Sequence, residues 1–471
     1  MNQLRKSIGL PLLIGLGAAG VIGSSWIYTG SKFFAAYDAG GEVFGLAIAT
    51  VFVSCIALAY AELAAVLPRA GGEVVFGYVA FNRGTAFTAG WLLAGAYNSS
   101  MAFYVTTLGT LLRDVVPDLG TIPLYTINGT TVHLPVLVLG VVVTLVVFGV
   151  NWRGLSFGAW SQFAMFAAMI IIGLVLVIVG LAHGSPGNFW PPYTAGGGGA
   201  AGKTARFVLP AMTFLTGFSL VAILAEDARV TPRRLGRAVL LTVSIAGAFY
   251  CLVLLATAWV IPWHRTAGMD KGTIDAFRAA GFPALAWSAY AIAVLGLVTS
   301  FLGLFIATSR IVLAMARAGL LPPGLATLHP RHGTPTRALT FTLVIVLALG
   351  WLGSGALTWF LDTGGVYVGL AWVIGVSAMF RLRRTRPGLD RPFRARPAAA
   401  PAIGAVLAVA VIIFALWPGT PLSLVWPWEY VILLAWAALG LVLYLTTRRG
   451  DEETALRGLL DTHYDTFAEP A

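Results

Sequence analysis

The chain has 471 residues, of which 58% are hydrophobic and only 10% charged, against roughly 25% charged residues in soluble proteins. No soluble domain of useful size fits between its apolar runs, so it reads as an integral protein of the lipid bilayer. Its net charge of +11 does not indicate nucleic acid, because most of the arginines fall in short loops between apolar segments, where they act as an orientation signal.

Apolar stretches long enough to cross a bilayer as helices run over 8–36, 40–66, 84–112, 132–150, 155–181, 206–228, 236–261, 284–314, 338–353, 358–380, 399–417 and 427–446. The expected fold is all-α, with about twelve transmembrane helices over 1–446 and a polar, partly helical tail over 447–471. Arg5 and Lys6 precede the first run, which is too long for a signal peptide and lacks a small-residue cleavage site, so it is expected to be a retained span. With the N-terminus inside, the inner segments carry more Lys and Arg than the outer ones by about four to one. Both termini are therefore expected in the cytoplasm, and the protein in the cell membrane.

Span 1 holds the most informative stretch, Gly15 to Trp26, Gly-Leu-Gly-Ala-Ala-Gly-Val-Ile-Gly-Ser-Ser-Trp. Each glycine costs a helix about 1 kcal/mol against alanine. An undone turn in lipid also exposes N–H and C=O groups where water is absent, which is tolerated only where they face a cavity or a ligand. The stretch is expected to be an interrupted helix whose free backbone groups bind a small charged solute. Close helix packing is the alternative use of Gly15, Gly17 and Gly20.

Further along, Asn98, Ser99 and Ser100 form a polar cluster in mid-span 3, suited to lining a substrate path or to bonding a neighbouring helix. Span 6 carries Thr213-Phe-Leu-Thr-Gly-Phe-Ser219 at mid-depth. Span 1 runs inside to outside and span 6 the reverse. Breaks at corresponding places in oppositely oriented spans point to an inverted repeat of five spans each, over 8–181 and 206–380, with two extra helices over 399–446. The outer loops 183–206, with Gly196 to Gly199, and 262–283 are the longest; the second has room for a short surface helix. Glu62, Glu73, Glu226 and Asp227 lie near Arg69, Arg229 and Arg233 and are expected to form a cytoplasmic ion-pair belt. Cys55 and Cys251 fall within spans as small core residues. No disulfide, metal or cofactor framework is indicated.

Four stretches carry a family resemblance: Ile22-Gly-Ser-Ser25; Tyr60-Ala-Glu-Leu-Ala64 with Pro68-Arg-Ala-Gly-Gly-Glu73; Ala225-Glu-Asp-Ala-Arg-Val-Thr-Pro-Arg233; and Ser309 to Pro322 with His329-Pro-Arg-His-Gly-Thr-Pro335. In this order and at these spans, the chain resembles the amino acid–polyamine–organocation (APC) superfamily of permeases over nearly its whole length. The resemblance implies a leucine-transporter-like fold, alternating access and an amino acid held at mid-membrane. The substrate carboxylate would sit on the N–H groups of Gly23, Ser24 and Ser25, beside Gly20 and Ile22. The amine would face carbonyls near Ala19 and around Thr216, Gly217 and Phe218, with Asn98, Thr213 and Ser219 close by. A half-helix N-terminus supports this, since it carries about +0.5 charge and unpaired donors.

Ser25 stands where the family often has glycine, Ser219 where many members have an acid, and Met169 where some proton-coupled members have a lysine. Thr308 and Ser309, within reach of the span 1 carbonyls, form with Met169 a candidate site for a coupling ion, proton or sodium; the alternative is that the hydroxyls bond their own helix. Lys32 and Asp362 are the charges well inside the outer halves of spans 1 and 10; their pairing would form an outer gate, and the alternative is that Lys32 snorkels to the outer headgroups and Asp362 caps span 10.

Spans 3, 6 and 8 offer no carboxylate at mid-depth. This favours an amino acid with a neutral side chain over a polyamine or other organic cation, with import and exchange both open. An intramembrane enzyme would need clustered acids or histidines inside the spans, whereas all six histidines fall in loops, span ends or the tail.

Overall fold

The structure, a computed structural model, describes residues 8–23, 25–113, 115–194, 199–420, 422–447 and 451–468. Arg5, Lys6, Ser24, Gly196 to Gly198, Arg448 and Arg449 lie outside the described residues, as does the side chain of Ser25.

Helix α1, Leu10–Val21, opens with proline in its first turn, where the missing N–H costs nothing. It stops short of Gly23, and α2, Ser25–Val66, resumes the path. At 42 residues α2 is far longer than one crossing needs, and it turns at Asp38, which is non-helical with φ 60° and ψ 166°. Spans 1 and 2 are thus joined through one hinge residue. Gly71 and Gly72, with φ 97° and 42°, make the tight turn into α3, Glu73–Ala80. The Asn82 side chain caps α4, Arg83–Leu112, by accepting the Thr85 N–H at 2.9 Å.

An outer hairpin follows, absent from the sequence reading. Strands β1, Pro123–Ile127, and β2, Thr130–His133, pair antiparallel around Asn128-Gly129, both with positive φ, as a two-residue hairpin turn requires. Next come α5, Leu134–Arg153, α6, Leu155–His183, and the single turn α7, Pro186–Phe189. Span 6 is broken into α8, Gly199–Phe214, a 3-10 turn over Thr216–Phe218, and α9, Ser219–Ile223. After α10, Pro232–Val260, the loop before the next span holds α11, Trp263–Ala267, and α12, Gly272–Ala279. The chain continues with α13, Pro283–Arg317; α14, Thr336–Gly350; α15, Leu357–Thr385; α16, Ala399–Leu416; and α17, Trp428–Thr446. The tail forms α18, Glu452–Leu460, and α19, Tyr464–Ala468.

Among the described residues nine helices are long and apolar enough to cross a membrane, with two shorter apolar ones, Leu10–Val21 and Thr336–Gly350. The all-α, multi-span class read from the sequence is the class observed. Burial orders the helices: the apolar stretch through α8 and α9 is 94% buried, whereas that of α17 is 17% buried. Span 6 therefore runs through the centre, while α16 and α17 lie outside and turn residues such as Val406 and Leu434 outward, as lipid-facing helices do. Helix α17 is fastened to α4 by Trp91 and Trp436, stacked at 4.3 Å, each indole N–H donating to the other's carbonyl at 2.9 and 3.0 Å.

Candidate functional site

The site is built where the two broken helices touch. The last turn of α1 closes with the Ile22 N–H on the Ala18 carbonyl at 2.6 Å and the Gly23 N–H on Val21 at 2.8 Å. Beyond it the freed groups need partners, and hydroxyls from other helices supply them. Ser300 of α13 donates to the Ala19 carbonyl at 2.9 Å. The Tyr250 hydroxyl of α10 donates to the Val21 carbonyl and accepts the Gly23 N–H at 2.9 Å. On the other side, Gly217 lies directly against Gly20: a Cβ on Gly217 would come within 2.4 Å of the Gly20 carbonyl carbon and the Val21 nitrogen. Only glycine allows that approach.

A cavity of about 20 Å3 lies between the breaks. Gly20, Val21 and Gly23 face it from the first break, Thr213, Thr216 and Gly217 from the second, Tyr97, Ser100 and Tyr104 from α4, and Tyr250 from α10. Among the described residues, none that lines it is charged. A cavity needs roughly 10–15 Å3 to hold one water, so in this conformation it admits about a water and no amino acid. Two larger cavities lie towards the opposite ends of the helices. One, of about 480 Å3, is lined by Tyr28, Lys32, Arg113, Asp270 and Lys271 among others. The other, of about 490 Å3, is lined by Arg69, Glu226, Arg317 and tail residues including Asp461.

Several residues singled out in the sequence meet here and others do not. Thr213 lines the cavity and donates to the Leu361 carbonyl at 2.6 Å; Thr216 lines it and donates to Met212 at 3.0 Å. Ala19, Ile22 and Phe218 are buried behind the lining, Phe218 between Tyr60 and Trp372 with centroids 5.4 and 5.5 Å away. Ser219 bonds Tyr97 at 2.8 Å and donates to the Thr216 carbonyl at 3.0 Å. Asn98 donates within its own helix to Ala94 at 2.8 Å and does not line the cavity. The face of α4 turned inward is the i, i+3, i+7 set Tyr97, Ser100 and Tyr104.

The candidate ion site is not brought together. Thr308 and Ser309 each donate inside their own helix, to Leu304 and Ile306 at 2.8 and 2.7 Å, and Met169 is a buried core residue. The α13 hydroxyl that does reach span 1 is Ser300, about 12 Å nearer the start of α13 at 1.5 Å per residue. Nor do Lys32 and Asp362 meet. Lys32 is exposed in the cavity it shares with Tyr28 and Arg113, as a snorkelling lysine is, whereas Asp362 neighbours Glu429. The tie at this end of the helices is instead Lys203 with Asp38, buried at 2.5 Å, with the Thr194 N–H donating to Asp38 at 2.8 Å.

The ion-pair belt forms, with Arg69 as expected and with further partners the spacing did not name. Glu62 binds Arg383 and, at 3.4 Å, Arg391. Glu226 lies 3.7 Å from Arg69 and 3.5 Å from Arg317; Asp227 lies 3.5 Å from Arg310. The tail joins it, Arg69 reaching the Leu459 carbonyl at 3.1 Å and Asp461 at 3.6 Å. Glu73 takes no part: it is fully buried and neither carboxylate oxygen completes a hydrogen bond.

The sequence agrees with this architecture. The amino acid permease family profile matches residues 13–438. The branched-chain amino acid permease BcaP of Bacillus subtilis is 26% identical over 463 residues, covering 95% of this chain and 94% of its own. The branched-chain amino acid permease BcaP of Lactococcus lactis subsp. cremoris is 26% identical over 387 residues, 80% of this chain and 82% of its own. Human cationic amino acid transporter 4 is 27% identical over 413 residues, 81% of this chain and 60% of its own. With a match that runs from the first broken helix into α17, the chain belongs to the amino acid permease family.

Proposed function

We propose that this protein is a carrier that moves amino acids with neutral side chains across the cell membrane by alternating access. The observation that carries the reading is the cavity at the contact of two broken helices, lined at the breaks by Gly20, Val21, Gly23 and Gly217 and by no charged side chain among the described residues. A zwitterion suits such a site: N–H groups at a helix break take the carboxylate and carbonyls take the amine. A cationic side chain would want a buried carboxylate there. Two of the similar proteins are named as branched-chain amino acid permeases. The family and these relatives point to transport rather than to catalysis.

In this reading 8–181 and 206–380 are the inverted repeats, 399–446 adds two helices, and both termini face the cytoplasm. The small central cavity between larger outer and inner ones is a closed state, and substrate enters when one side swings open. The Tyr250 hydroxyl occupies the Gly23 N–H until the substrate carboxylate replaces it. Tyr250→Phe then leaves the Gly23 N–H and the Val21 carbonyl with only each other, costing the ligand-free protein about 1–3 kcal/mol. Because bound substrate restores the Gly23 bond, the rise in Tm on adding ligand is expected to exceed the wild-type rise. A smaller rise would make Tyr250 one of the ligand's own partners.

Counterflow in proteoliposomes tests the function. Labelled leucine is expected to enter vesicles preloaded with unlabelled leucine, to saturate, and to be displaced by other neutral amino acids but not by arginine. Non-saturating flux without exchange would mark a channel and end the proposal.

A further inference from the structure

Glu73 is a fully buried acid that the carrier mechanism above does not use. It opens α3, outside the apolar spans, where Gly72 of the preceding turn presses on Ile223 of α9. Two hydroxyls act on it. Tyr60 of α2, which donates to the Ala371 carbonyl at 3.4 Å, and Tyr97 of α4 both feel the charge of its carboxylate. Neither oxygen of the carboxyl completes a bond. Charged groups on the elements packed around α3 turn elsewhere: Arg83 of α4 to the Gly319 carbonyl at 3.1 Å, Arg310 and Arg317 of α13 to Asp227 and Glu226, Arg383 of α15 to Glu62 of α2, and Arg381 over the Phe81 ring.

An ionised carboxylate buried with no cation or full set of donors is strongly disfavoured, and the group takes a proton instead. Burial pushes the Glu73 carboxyl up to about 8, against a smaller opposing effect of its own backbone N–H and the Tyr60 hydroxyl. Tyr97, which feels the Glu73 charge, also borders the cavity. It bonds Ser219 at 2.8 Å, and Ser219 donates to the carbonyl of Thr216, another lining residue.

We propose that Glu73 is the binding site of a proton that travels with the substrate, linked to the cavity through Tyr97 and Ser219. This rests on the carrier reading. With the cavity open to the outside, a proton from outer water reaches the carboxylate through the hydroxyls and neutralises it, which permits closure around a dry acid. When the inner side opens, water reaches α3, the carboxylic acid ionises, and the proton leaves to the cytoplasm. One proton is taken up and one released per cycle, with no other reactant.

The test uses the full chain in proteoliposomes, with leucine as probe, membrane voltage clamped, and a pH dye inside. The wild type is expected to acidify the lumen as leucine enters and to accumulate leucine about tenfold per unit of inward proton gradient, the yield of one proton per substrate. Glu73→Gln, shaped like the protonated acid, is expected to keep counterflow while losing both acidification and gradient-driven accumulation. Glu73→Asp, which retains a titratable acid, is expected to recover acidification with a displaced pH profile. Leucine-driven acidification surviving in Glu73→Gln would overturn the assignment and turn attention to Glu42, another buried acid without a bonding partner. Counterflow in the wild type without acidification would also overturn it while leaving the carrier reading intact. Absence of counterflow with every amino acid would strike the carrier reading itself, and this inference with it.

Discussion

Gly217→Val is expected to bring amino acid uptake to background. A Cβ there would lie 2.4 Å from the Gly20 backbone, a separation that cannot be relieved by rotating a side chain, because the obstacle is main chain. The two breaks must part, and the peptide groups that converge on the cavity lose their arrangement. A 1 Å displacement at a reacting or binding centre can cost about a hundredfold, and valine demands more than that. The comparison is Gly202→Ala, on the same span, where a Cβ meets nothing within 4 Å; uptake there is expected to stay near wild type. Membrane-inserted Gly217→Val protein that still takes up leucine at a wild-type rate would remove the contact between the breaks from the mechanism.

The second large effect falls on stability. Lys203→Met leaves Asp38 buried with only Thr194 to bond it, and losing one partner of a buried ion pair costs about 3–5 kcal/mol. Asp38 is also the hinge at which α2 turns, with φ 60°, so its side chain anchors a backbone that a non-glycine residue adopts reluctantly. Lys203 begins the broken span 6. The pair therefore ties the end of span 1 at the Asp38 turn to the start of span 6. In detergent the single variant is expected to unfold at a markedly lower temperature. Asp38→Asn combined with Lys203→Met should regain much of the loss, since no unmatched charge remains. Equal unfolding temperatures for wild type and Lys203→Met would show that the pair contributes nothing to the fold.

The architecture was legible because membrane physics writes it locally. Apolar length marked the helices, and the interruptions at Gly23 and at Thr216 to Phe218 were announced by glycines where lipid tolerates none idly. The partners of those interruptions were not legible. Tyr250 and Ser300 sit in helices without any break, and nothing in their own segments separates a hydroxyl that reaches across the bundle from one that bonds its own turn. Thr308 and Ser309 illustrate the reverse: a correct helix and plausible chemistry, two turns away from the level of the site. Asn98 fails for a related reason, since one residue along a helix is a 100° rotation, enough to move a side chain from the cavity to the packing face. The Lys32–Asp362 pairing rested on which spans face each other, and side-chain direction decided against it in this conformation. Glu73 shows how chemistry can be overlooked: its neighbours in sequence include Arg69, but the turn at Gly71-Gly72 points the acid into the protein and away from that arginine.

The direct measurement of the central claim is competition for labelled leucine uptake by analogues altered at one end. The account predicts that unlabelled leucine competes, whereas leucinamide and isoamylamine, which keep the amine and the apolar side chain but lack the carboxylate, do not. It also predicts that in Gly23→Val leucine itself no longer competes or raises Tm. Competition by the amines at the same concentration as leucine would contradict it, because the exposed peptide groups of the first broken helix would then not be what holds the substrate.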